Sequence, residues 1–129
     1  MTKKRNDAHS TEFGLWLREQ PEIDSRIGFV ATNLDYIWHN YKTGDWMLIE
    51  EKRGYNKFIP KVKRWQRGIF NLLHKAALND NSYRGFYFIA FANTSPDDGD
   101  IYINNQKAST QDLINLLKFD SEYIYISKD

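Results

Sequence analysis

The stretch Gly85 to Asn93, GFYFIAFAN, is an almost unbroken apolar run. A strand with one face in water alternates apolar and polar residues, whereas a strand covered on both faces has no place for the polar ones. The run therefore predicts a central strand, and with it a sheet carrying helices on both of its faces. With 129 residues there is room for one such core, so a single domain over 1–129 is expected, with residues 1–9 as a flexible basic arm. Aromatic residues make up 16% of the chain, and their burial offsets chain entropy despite a mean hydropathy of -0.68.

The neighbouring segments fill in this plan. Ser10 to Gln20 predicts a helix, with Phe13, Trp16 and Leu17 on one face and Pro21 ending it. Ile27 to Val30, Leu34 to Tyr41 and Trp46 to Lys52 predict strands, the last two joined as a hairpin by the turn chemistry of Lys42-Thr43-Gly44-Asp45. Pro60 suits the first turn of a helix reaching about Leu78, whose expected buried stripe is Val62, Trp65, Ile69, Leu72, Leu73 and Ala76. On this pattern Trp16 and Trp65 belong to the core. A strand over Asp100 to Asn104, a helix from Thr110 to Phe119 and a strand over Tyr123 to Ser127 complete the order α-β-β-β-α-β-β-α-β. That order predicts an α/β fold with one mixed sheet.

Several function classes are excluded at once. Zero cysteines leave no disulfide framework, thiol nucleophile or Cys-ligated metal site, and three scattered histidines (His9, His39, His74) offer no zinc spacing. No run is long enough to span a bilayer, and the basic opening MTKKRNDAHSTEF lacks the apolar stretch of a signal peptide, so a cytoplasmic protein is expected. Net charge is +1, but its layout is uneven. Lys52 to Lys75 holds eight bases (Lys52, Arg53, Lys57, Lys61, Lys63, Arg64, Arg67, Lys75) and no acid. Solvated helices usually pair such bases with acids four residues away, and their absence here points to a polyanionic ligand. Lys57, Lys61, Lys63, Arg64 and Arg67 are the expected nucleic-acid contacts.

Chemistry concentrates in the hairpin. Strand alternation puts Glu50 and Lys52 on one face and Glu51 on the other, with Asp35 on the neighbouring strand. Two carboxylates plus the main-chain carbonyl of residue 51 suit a hard divalent cation such as Mg2+. Lys52 would then stand beside the attacking water, where an ammonium orients the nucleophile and offsets charge growing on a phosphate.

Asp35, then Glu50-x-Lys52, then a basic helix and an apolar strand, resembles the PD-(D/E)XK nuclease superfamily with its restriction-endonuclease-like fold. The resemblance covers residues 10 to 92 and is greatest to small Holliday-junction resolvases and phage-type nucleases. It implies a Mg2+-dependent DNA endonuclease, with Mn2+ able to substitute, leaving 5'-phosphate and 3'-hydroxyl ends. It also implies a metal-site glutamate on the first helix, where Glu12 stands, with Glu19 as second choice, and a supporting glutamine on the basic helix, where Gln66 stands. The implied metal ligands are Asp35, Glu50, Glu51 and Glu12; the implied catalytic residues are Asp35, Glu50, Lys52, Glu12 and Gln66. Leu34 stands where the family name has proline. One centre per chain implies a homodimer or higher symmetric assembly for cutting two strands. The alternative is a nucleic-acid-binding module that keeps the basic helix 60–78 and has no working metal site.

Overall fold

The computed structural model describes residues 11–54 and 64–126, and the chain forms two compact units, Met1–Thr32 and Asn33–Asp129. In the first unit, helix α1 spans Glu12–Arg18. The Thr11 hydroxyl oxygen accepts the Gly14 N–H at 3.0 Å and caps it, and Phe13 stacks on Trp16 one turn along. No residue of α1 is buried, so Trp16 is not the core residue its spacing predicts.

The strand expected over Ile27 to Val30 is also absent. Residues Ser25–Ile27 instead make a 3-10 turn. Asp24 caps that turn by accepting the Arg26 N–H at 2.8 Å, and Gly28 closes it at φ +113, so local turn chemistry outweighs the β-branched residues.

The second unit is an α/β arrangement with a five-stranded mixed sheet in the order β1-β2-β3-β4-β5. Its strands are β1 Tyr36–His39, β2 Trp46–Lys52, β3 Tyr83–Phe91, β4 Ile101–Ile103 and β5 Gln106–Ala108. Its helices are α2 Arg64–Ala77 and α3 Thr110–Leu117. Only β2 and β3 run parallel, with α2 between them in the chain; the other neighbours are antiparallel. As the apolar run predicts, β3 is the central strand and is buried from Phe86 to Phe91.

Alternation along the strands divides the core in two. Met47, Ile49, Tyr87, Ile89 and Phe91 pack with Leu113 and Leu116 of α3, whereas Leu48, Phe86 and Phe88 pack with Phe70 and Ala77 of α2. Strands β2 and β3 fall out of step once, where Tyr83 to Phe86 spans the same stretch as Trp46 to Leu48. Gly85 takes up the extra residue at φ +125, and a Cβ there would lie 2.8 Å from the Tyr87 hydroxyl, so glycine alone fits.

Three expectations need correction. Strand β5 was not anticipated; Asn104 and Asn105, both at positive φ, make the two-residue turn that pairs β4 with it. The strand expected over Tyr123 to Ser127 is not formed through Ile126. Side chains tie that segment down instead: the Asn104 amide donates to the Ile124 carbonyl and Arg67 to the Ile126 carbonyl at 2.6 Å.

Helix α2 is also rotated from expectation, burying Phe70 and Ala77 while Leu72 is 70% and Trp65 45% exposed. Aromatic fit selects the face, since Phe70 lies 5.0 Å from Phe86 and 5.9 Å from Phe88, and His74 stacks on Tyr125 at 4.1 Å. The expected beginning of this helix, from Pro60 through Lys63, lies outside the described residues. Among the described residues no helix is long and apolar enough to cross a membrane.

Candidate active site

The antiparallel register of β1 and β2 pairs Tyr36 with Ile49, which brings Asp35 level with Glu50. Asp35 stands one residue before β1 rather than on it as expected. Its side chain explains why the strand begins late: Oδ2 accepts the Glu51 N–H at 2.8 Å, occupying a donor that ladder pairing would give to a main-chain carbonyl. In return the Asp35 N–H donates to Glu50 Oε1 at 3.4 Å. Backbone and side chains of two strands thus lock the two carboxylates together.

Glu50 is 4% exposed, and among the described residues it and Asn104 are the buried polar ones. Lys52, two residues on and on the same face as alternation requires, places Nζ 3.4 Å from Glu50 Oε2. Burial pushes the Glu50 carboxyl up from 4.5 to about 7, and the Asp35 charge pushes the same way against the pull of Lys52. The net arrangement is two carboxylates against one ammonium, with one carboxylate poorly solvated. Such a group gains from any cation that reaches it.

Glu51 points to the opposite face. The Tyr36 hydroxyl donates to its Oε1 at 3.2 Å, and Arg53 pairs with its Oε2 at 3.4 Å. There Glu51 borders a cleft of about 340 Å³ lined by apolar residues including Trp38, Ile89, Phe91 and Leu113. Sequence reasoning missed this cleft, because residues 38, 89 and 113 come together only once the strand register and the side taken by α3 are known. The Glu51 side chain is thus turned away from Asp35 and Glu50, as strand alternation predicts.

The remaining candidates are spread out. Glu12 opens α1 in the first unit, where Glu19 caps the same helix. Gln66 is half-buried near the start of described α2, and Arg64 is exposed there. Arg67, an expected nucleic-acid contact, has its guanidinium 4.4 Å over the Phe88 ring and donates to the Ile126 carbonyl. Phe88 is the β3 partner of Glu50, so Arg67 belongs to the same face of the sheet. Lys57, Lys61 and Lys63 lie outside the described residues. His39 is exposed on β1, and His74 is occupied by the Tyr83 hydroxyl at 2.7 Å.

Among the described residues no group of three or more His, Cys, Asp or Glu side chains is arranged to hold a metal ion. Asp35 and Glu50 make two. Two carboxylates are a sufficient protein share for Mg2+, which keeps several waters and takes further oxygens from a substrate phosphate. No family model, curated protein or solved structure matches the chain.

Proposed function

We propose that this chain is a metal-dependent DNA endonuclease of restriction-endonuclease-like fold, acting in the cytoplasm. The observation that carries the reading is the joining of Asp35 and Glu50 across two strands with Lys52 on the same face. The raised Glu50 carboxyl supports it, since a buried carboxylate beside a second one is a charge arrangement that a divalent cation completes.

Asp35 and Glu50 would hold Mg2+ or Mn2+, with the Glu51 carbonyl. Bound there, the ion supplies Lewis acidity and lowers the pKa of water. The chain's own groups do the rest. Lys52 Nζ, held by Glu50, orients the attacking water and faces the charge that develops on the phosphate; Gln66 supports it; Arg64 and the bases at 57, 61 and 63 hold the DNA backbone. Water attacks phosphorus, the bond to the 3' oxygen breaks, and 5'-phosphate and 3'-hydroxyl ends result. Cutting two strands calls for two copies of the chain.

One observation favours a second reading, a non-catalytic DNA-binding module: the described residues supply two clustered carboxylates and not three. A single set of assays separates them. Plasmid, branched DNA, single strands and RNA are incubated with the protein in Mg2+ and in EDTA, alongside Mn2+ calorimetry. Metal-dependent cleavage of DNA with metal binding is expected; binding of DNA with neither would leave the module.

A further inference from the structure

The two edges of the sheet differ. Strand β5 is three residues, QKA, with a lysine at its centre that pairs with Asp100, and this is how proteins protect an edge from pairing. Strand β1, YIWH, has no charge and no proline, and all four of its residues are exposed.

Its backbone is open as well. The Asn40 N–H donates to the Asp45 carbonyl, so by antiparallel alternation Trp38 and Tyr36 bond inward to β2, while Ile37 and His39 turn their N–H and C=O groups outward. Among the described residues nothing bonds those outward groups. Trp38 is already fixed, its indole N–H donating to the Leu117 carbonyl at 2.7 Å, so it offers a large apolar surface at little further cost in entropy.

We propose that β1 pairs with β1 of a second copy, antiparallel about a two-fold axis at Trp38, to make one continuous sheet. Ile37 then bonds His39 of the partner subunit, and the two Trp38 side chains meet at the axis.

Charge selects this occupant. The edge is flanked by Asp35 before it and Lys42 after it, and antiparallel self-pairing lays the acidic end of one copy along the basic end of the other. The exposed apolar stripe of α2 lacks this complementarity. It is bordered by Arg64 and Lys75 in a segment without acids, so it repels its own copy.

The pairing extends the two-centre part of the function proposed above. A two-fold axis perpendicular to the sheet keeps both Glu50 faces on one side. About three strand spacings across and about six residues along then separate the two centres by about 25 Å. On a duplex that is the rise of about seven base pairs. The association itself is measured without reference to cleavage, so failure of the nuclease reading leaves it standing and the converse also holds.

The test is sedimentation of the full chain across a concentration series, with three variants. Ile37→Pro removes an outward N–H and leaves the β1–β2 ladder intact, as proline is tolerated on the free side of an edge strand. Ile37→Lys places a charge there without changing the backbone. Trp38→Cys, in a chain with no cysteine of its own, puts two thiols at the axis within disulfide reach, and Leu72→Cys on exposed α2 is its control.

The expected result is a dimer for the parent, monomers for folded Ile37→Pro and Ile37→Lys, and a covalent dimer for Trp38→Cys alone. A parent chain that stays monomeric overturns the proposal. So does a dimer that survives both Ile37 variants, or one that crosslinks through Leu72→Cys and not Trp38→Cys.

Discussion

Glu50 and Glu51 are neighbours in sequence and opposites in chemistry. Glu50 is buried beside Asp35 and Lys52, with its carboxyl held near neutrality. Glu51 sits at the rim of an apolar cleft on the other face, shared between a tyrosine hydroxyl and an exposed arginine. The main chain joins the two faces, because the Glu51 N–H is what holds Asp35 Oδ2. One residue step along a strand thus separates a buried carboxyl from a half-buried one paired with an exposed arginine. On the proposed function, the first face reacts and the second does not.

Cleavage provides the largest contrast. Asp35→Ala and Glu50→Ala are expected to abolish metal-dependent cleavage while leaving DNA binding intact or tighter, as each removes a ligand and a negative charge facing phosphates. Glu51→Gln keeps the main chain and should cut within a few-fold of the parent. Parental rates in Asp35→Ala, or loss of activity in Glu51→Gln, would reverse the assignment of the two faces.

Lys52 gives the next effect. Lys52→Ala should slow single-turnover cleavage by about two powers of ten or more at saturating Mg2+, with metal affinity near the parent's since lysine is not a ligand. Lys52→Arg should restore only part, because guanidinium is planar, larger and keeps its proton. Equal rates in all three proteins would make Lys52 a solvated strand end.

The contrast was partly legible in advance, and the limits are physical. WMLIEEK carries the strand, its alternation and the shared face of Glu50 and Lys52 within seven consecutive residues, and the structure forms β2 over those residues. The central position of β3 was equally local, since an unbroken apolar run has one use in a sheet. The apolar spacing of helix α2 and its buried face differ: Phe70, Asn71 and His74 are chosen by aromatic and hydrogen-bond partners on β3 and on the segment 121–126, all outside the helix. Strand β5 did leave a signal, the Asn104-Asn105 pair between IYI and QKA. The pairing of Asp35 with the Glu51 N–H left none, as it needs the strand to stop one residue short.

Folding stability gives a smaller effect, carried by Glu50. The folded-state carboxyl of Glu50 is raised to about 7 from 4.5, so the folded chain holds a proton that the unfolded chain has released. Stability is therefore full below about pH 4.5, falls as pH rises through the window to about 7, and levels off above it, a loss of about 3 kcal/mol at most. Glu50→Gln removes this dependence. In metal-free buffer its stability relative to the parent should rise from pH 5 to pH 8 in urea unfolding. A pH-independent difference for Glu50→Gln would mean that the buried carboxyl titrates normally.

The smallest effect belongs to the solvent side. The Glu51 carboxylate accepts the Tyr36 hydroxyl and repels the phenolate, and both raise the Tyr36 pKa above its ordinary value of 10.0. Glu51→Gln replaces the charge by an amide and should bring Tyr36 back toward that value, read from the ring carbon shift of labelled tyrosine and assigned with Tyr36→Phe. Because this hydrogen bond is exposed, Tyr36→Phe should change stability by no more than about 0.5 kcal/mol. A Tyr36 resonance that titrates identically in Glu51→Gln would mean that the hydroxyl and the carboxylate do not meet in solution. Among the described residues Arg53 would then be the side chain that holds the Glu51 carboxylate.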